Sequence, residues 1–306
     1  MKNLISRGIS ALTPVTRRRR NTSQPATEAL EDRVLLSNVT VSFENGDLRL
    51  QGDSGDNVVT VEQHGDRIIV QGFNGTELNG RSQSLLFATN GVRDDVIMNF
   101  QAGGDNLVGL KDIEVGDDVQ FRGGRGADRF GFLSGSVGDD MRVRTGNGHD
   151  SVFIESSPVG DLLDINTGSG HDKVGLGGDD VQYKDVTVKT GKGRDGILFG
   201  GMRVRDDLNV NMGSGSDVVF AGELQVDESG SFRLNLSGGN DDAYLFDSTI
   251  DSSVSVNGGS GFDGFETRNV NFAEAPSENG IERNFVLDAD LRSLEFAFDL
   301  LSDFNV

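Results

Sequence analysis

The feature that most constrains this chain is a fixed period. A G-x-D element returns every 22 to 24 residues, with its aspartate at Asp105, Asp128, Asp150, Asp172, Asp195, Asp217, Asp241 and Asp263. Asn57 fills the same slot 48 residues before Asp105, so a degenerate copy is expected between them, within 72–85. About ten copies at one period describe a solenoid, because such a unit can bury its apolar face only against its neighbours.

Three short alternations lie inside each period. One follows an acidic column, Asp47, Asp95, Asp118, Asp140, Asp161, Asp185 and Asp207, continued by Ser231 and Ser253. Its apolar pairs include Val119/Phe121, Met141/Val143 and Leu208/Val210. A second follows the anchor aspartate: Phe130/Phe132, Val152/Ile154, Val174/Leu176 and Ile197/Phe199. The third ends on Val115, Val137, Val159, Val181, Val204, Val226 and Ile250. Period 2 puts one face inside and one in water. The sequence therefore predicts an all-β fold, a right-handed parallel β-helix of about ten 22-residue rungs spanning 38–272. An antiparallel sandwich fits badly, since its strands do not repeat in register at 22.

Composition agrees. Glycine is 43 of 306 residues and proline only 4, which suits many tight turns and not collagen or a proline-rich coil. There is no cysteine, so disulfides, thiolate metal sites and a cysteine nucleophile are excluded. Net charge is −21. Residues 1–37 hold seven Lys/Arg and three acids, hence +4, leaving −25 for the rest. Such a body repels nucleic acid and anionic membrane and favours cations. No apolar run is long enough for a membrane helix, and no standard signal peptide is evident before Arg17–Arg20.

Beyond the repeats, 273–284 reads as a linker containing Pro276 and Gly280. Leu287, Leu291, Leu294, Phe298 and Leu301 then form one helical stripe, so 285–306 is expected to be an amphipathic helix capping the solenoid end.

Two resemblances add expectations. The stretches 146–152, 168–174, 191–197 and 213–219 resemble the calcium nonapeptide of hemolysin-type (RTX) repeats, closest at Gly213-Ser214-Gly215-Ser216-Asp217-Val218-Val219. That family packs its nonapeptides in tandem. Here the element comes once per rung, so at most one edge could carry ions. Leu30-Glu31-Asp32-Arg33-Val34-Leu35-Leu36-Ser37 resembles the LEPR-XLL segment of large planctomycete envelope or secreted proteins, with Asp32 where that family has proline. The resemblance implies sorting to the envelope or exterior. A short helix capping the first rung is the structural alternative.

The anchor column admits two chemistries. Stacked carboxylates about 5 Å apart repel by ~0.8 kcal/mol in bulk water and by more near a protein surface. Calcium bridging successive rungs through Asp105, Asp128, Asp150, Asp172, Asp195, Asp217, Asp241 and Asp263 would relieve this. Alternatively, each aspartate accepts turn N–H bonds. The second acidic column lacks a glycine loop and reads as turn-forming. His149 and His171 share a slot in adjacent rungs and read as exposed turn residues. Gln120, Arg122, Arg142, Arg144, Lys189 and Arg233 on the outward first strand read as a solvated face balancing acidic corners, or as a groove for an acidic polysaccharide.

Together these readings favour a non-catalytic, secreted or cell-surface solenoid, calcium-stabilised, with an adhesion, matrix or envelope role. Extracellular polysaccharide or envelope components are its expected partners. A polysaccharide lyase or glycosidase is the alternative. Its site would fall in the irregular stretch 62–104, near Arg67, Glu77, Arg81, Arg93 and Asp94, since 105–263 carries no long insertion. No nucleotide-binding, HExxH or serine-nucleophile motif occurs.

Overall fold

A computed structural model describes residues 36–89 and 91–282. Every regular element in this range is a β-strand. Strands of successive periods pair in parallel with matched register. Along the first strand the buried partners run Leu48–Val96–Val119–Met141–Leu163–Val186–Leu208–Phe232–Val254. Along the second they run Val59–Val108–Phe130–Val152–Val174–Ile197–Val219–Ala243–Phe265. Nine stacked positions bound about eight turns, so the parallel β-helix stands and the expected ten rungs are too many.

The discrepancy lies at the N-terminal end. β1 (Asn38–Glu44) folds back antiparallel on β2 (Asp47–Gly52), and β4 (Arg67–Phe73) on β3 (Val58–His64). β5 (Glu77–Leu78) pairs with β1, and β6 (Leu85–Ala88) adds antiparallel to β4. Only β2 and β3 face the next coil, through β7 (Val96–Asn99) and β8 (Leu107–Lys111). The expected degenerate copy within 72–85 is therefore absent. That stretch holds the end of β4, β5 and the start of β6, and the β1/β2 and β3/β4 hairpins cover the first coil's open edge, where unpaired N–H and C=O groups would otherwise face water. The first hairpin turns at Asn45-Gly46, both at positive φ, the chemistry of a two-residue hairpin loop.

The core is a stack of identical positions. The pairs Val119/Phe121, Phe130/Phe132, Met141/Val143 and Ile197/Phe199 are fully buried. Phe121 stacks on Phe130 with centroids 4.9 Å apart. In the third strand Tyr183, not Val181, stands opposite Val159 and Val204, because a bulge between Gly177 and Val181 shifts the register. At the other end Ser277–Asn279, within the expected linker, is a strand paired parallel to Ser253–Asn257. The expected helix over 285–306 and most of the LEPR-XLL-like segment lie outside the described residues.

Candidate functional site: the glycine corner

The corner joining first and second strands carries the G-x-G-x-D element. Its glycines are required by contact as well as by φ. At Gly170 φ is 154°, and a Cβ there would sit 1.4 Å from the Gly148 carbonyl oxygen of the coil before.

The anchor aspartates point inward. Asp128, Asp150, Asp172, Asp195, Asp217, Asp241 and Asp263 are 0–3% exposed. Each Oδ1 accepts the backbone N–H of the anchor one coil earlier: Asp128 N–H to Asp150 at 2.8 Å, Asp150 to Asp172 at 2.9 Å, Asp172 to Asp195 at 2.9 Å. Asp195, Asp217 and Asp241 continue the chain toward Asp217, Asp241 and Asp263 at 2.7–2.9 Å, and Asp263 N–H ends on Glu282 Oε2. The alternative of N–H acceptance is realised, but between coils rather than within one turn.

Asp105 is not in this column. It is exposed, and Asn106 holds the buried slot, donating its N–H to Asp128 Oδ1 at 3.1 Å. Asn57 begins the ladder, its Nδ2 reaching Asn106 Oδ1 at 2.9 Å. Asp105 belongs to an outer row one residue earlier, where Asp105 Oδ1 accepts from Ala127 N–H, and His149 and His171 do the same for the next coil.

The second oxygen of Asp128, Asp150, Asp172, Asp195, Asp217 and Asp263 is buried without a hydrogen-bond partner. Burial pushes Asp128, Asp172 and Asp217 up to about 7, and raises Asp150 and Asp195. The Thr145, Thr167 and Thr190 hydroxyls stand beside Asp150, Asp172 and Asp195. Their protons go to backbone carbonyls one coil on, at 2.7–3.2 Å, so they do not also serve Oδ2. Sequence reasoning missed this threonine row. Its signal was the T-G-x-G-x-D spelling at 145, 167 and 190.

Calcium takes six to eight oxygens. Asp128, Asp150, Asp172, Asp195, Asp217 and Asp263 each leave one buried carboxylate oxygen unengaged. The turn carbonyls of Asn147, Ser169, Lys192 and Ser214 already accept inter-coil N–H bonds. Among the described residues no three His, Cys, Asp or Glu side chains gather as metal ligands. The donor set forms a hydrogen-bond ladder from coil to coil.

The second acidic column is a looser ladder. Asp47, Asp95 and Asp118 each accept the N–H of the next coil's aspartate at 3.0–3.2 Å. Leu162, not Asp161, holds the slot in the fifth coil. Asp161 pairs instead with Lys184 at 2.7 Å. On the first-strand face Arg142 pairs with Asp118 and Asp140, Arg144 with Asp164, and Arg233 with Asp207. On that face three of the cations are thus paired, while Arg122 and Lys189 are exposed. The irregular stretch 62–104 supplies the capping strands. Arg67 lies 4.0 Å from Asp66, Glu77 is in β5, and Arg81 bridges to Leu78. Arg93 and Asp94 back the glycines at 116 and 46.

His149 and His171 stack with centroids 4.9 Å apart and planes 7° from parallel. His171, Lys173, Arg194 and Ser216 border a shallow cleft of about 350 Å³ at this corner. No family model, curated protein or solved structure matches the chain.

Proposed function

We propose that the chain is a non-catalytic β-solenoid scaffold of the cell envelope or exterior, serving adhesion, matrix or envelope structure. One observation carries this reading: parallel pairing runs from Val96 to Asn257 with inter-coil spacing of 22 to 24 residues and no inserted loop. A cleft enzyme on such a rod needs a wall, and among the described residues no inserted loop supplies one over those coils. The irregular stretch that a lyase or glycosidase would use is spent on the hairpin cap. The LEPR-XLL resemblance at 30–37 supports the location. Among the described residues no helix is long and apolar enough to cross a membrane.

The test is incubation of the full chain with acidic and neutral polysaccharides, followed by size analysis and assay of new reducing or unsaturated ends, alongside fractionation of the native cells. Intact polymers and envelope or medium localisation are expected. Shortened polymers would replace the scaffold by an enzyme.

A further inference from the structure

At the glycine corner of four successive coils, the ladder draws the acids inward and leaves cations outside. Asp128, Asp150, Asp172 and Asp195 are buried. Arg125, His149, His171, Lys192 and Arg194 are exposed, and Arg129 is half-buried. Register aligns them in rows along the rod. Arg125, Asn147, Ser169 and Lys192 share one row, and His149, His171 and Arg194 are linked in another through N–H to Nδ1 bonds of 2.8 Å. Because each Nδ1 accepts, the neutral rings carry their proton on Nε2, which remains a donor.

On the neighbouring first-strand face Arg142, Arg144 and Arg233 pair with carboxylates. Arg125, Arg129, Lys192 and Arg194, like Arg122 and Lys189 of that face, pair with none among the described residues. The strip has ends. Exposed Asp105 closes one, and Ser214 and Ser216 take the Lys192 and Arg194 slots at the other. Three coil steps make it roughly 14 Å long. On a chain of net charge −21 this is a local reversal of sign beside a cleft of about 350 Å³.

We propose that this strip binds an acidic polysaccharide lying along the rod, its carboxylates meeting the arginines and lysine and its hydroxyls the histidine Nε2–H groups. The ligand class follows from the geometry. The cationic pairs Arg125/Arg129 and Lys192/Arg194 stand at the two ends of the strip, three coil steps apart, with the histidine donors between them, an arrangement that suits an extended polymer carrying both carboxylates and hydroxyls. A denser polyanion such as nucleic acid meets the repulsion of the acidic body, and the strip has no Phe, Tyr or Trp on which bases could stack. The inference rests on the scaffold reading and names its ligand.

The experiment is affinity electrophoresis of the full chain through polygalacturonate, with EDTA present, and competition by a single-stranded oligonucleotide of equal charge. K192S/R194S installs what the next coil already carries, so folding is retained and is checked by circular dichroism. K184S, on a different face, is the control. Retention of wild type and K184S, weakening by salt, and at least ten-fold weaker retention of K192S/R194S are expected, with R125S/R129S intermediate. Equal retention of wild type and K192S/R194S, no retention of wild type, or preference for the oligonucleotide overturns the proposal. Polymer size is read from the same incubation. Cleavage with strip-dependent binding would sink the scaffold reading and keep the ligand; intact polymer without binding would do the reverse.

Discussion

Asp172 has one oxygen bonded to the Asp150 N–H and the other bare, inside a column of like groups. Its carboxyl, near 4 in an unfolded chain, is pushed up to about 7 by burial, as are Asp128 and Asp217. Between those values the folded chain keeps protons that the unfolded chain has released. Stability therefore falls as pH rises from about 4 to about 7 and levels beyond. Asp172→Asn keeps the accepting oxygen and puts a donor beside the Thr167 hydroxyl. The column already tolerates this chemistry, since Asn57 and Asn106 hold its first two positions. The variant is expected to melt several degrees above wild type at pH 8 and to match it near pH 4.5, by circular dichroism. A lower melting temperature at both pH values would show that the carboxyl contributes as an anion.

The coil is the unit at the next scale. Its length fixes phase as well as height, because a one-residue slip turns each inward side chain outward. Deleting residues 151–172 joins Asp150 to Lys173 and preserves phase, so a shorter rod with a cooperative melt and smaller hydrodynamic radius is expected. Deleting 151–171 breaks phase and is expected to abolish the cooperative melt. Equal behaviour of the two would refute the register argument. Much of the coil was legible in the sequence, since the apolar pairs of the first two strands are buried where alternation puts them, and the third-strand row holds except at Val181, where Tyr183 takes the place. The errors were local. Asp105 and Asn106 are both polar, and G-G-D-N spells the motif at the wrong residue. The pair Val108/Leu110, two residues on from Asn106 as Phe130 is from Asp128, marks the true register. Leu163 likewise sets Leu162, not Asp161, in the second column. The hairpins were missed although Asn45-Gly46 lies between two alternating runs, because the solenoid period was extended through them. The cation strip was not legible, since the sequence does not say that the intervening aspartates point inward.

At the scale of the whole molecule, parallel strand pairing and the Oδ1 ladder already join each coil to the next, so the rod is expected to hold without a bound ion. Melts of the full chain in EDTA, in calcium and in magnesium at one pH should coincide. A calcium-specific rise of several degrees would mean that the turn carbonyls regroup around an ion, and would revive the likeness to hemolysin-type repeats.

The ladder also has a direction. From Asn106 on, each coil gives its backbone N–H forward to the carboxyl of the coil that follows, after a first link from the Asn57 side-chain amide to Asn106 Oδ1, and the series ends on Glu282. The cap is built from contacts close in sequence, which form early and cheaply in chain entropy. Every coil completed on it presents an unfilled row of donors to the segment made next. A ribosome or an export channel releases this chain in that same order. The molecule can thus be laid down from one end like courses of brick, the ladder donors of each course being filled as the next is made.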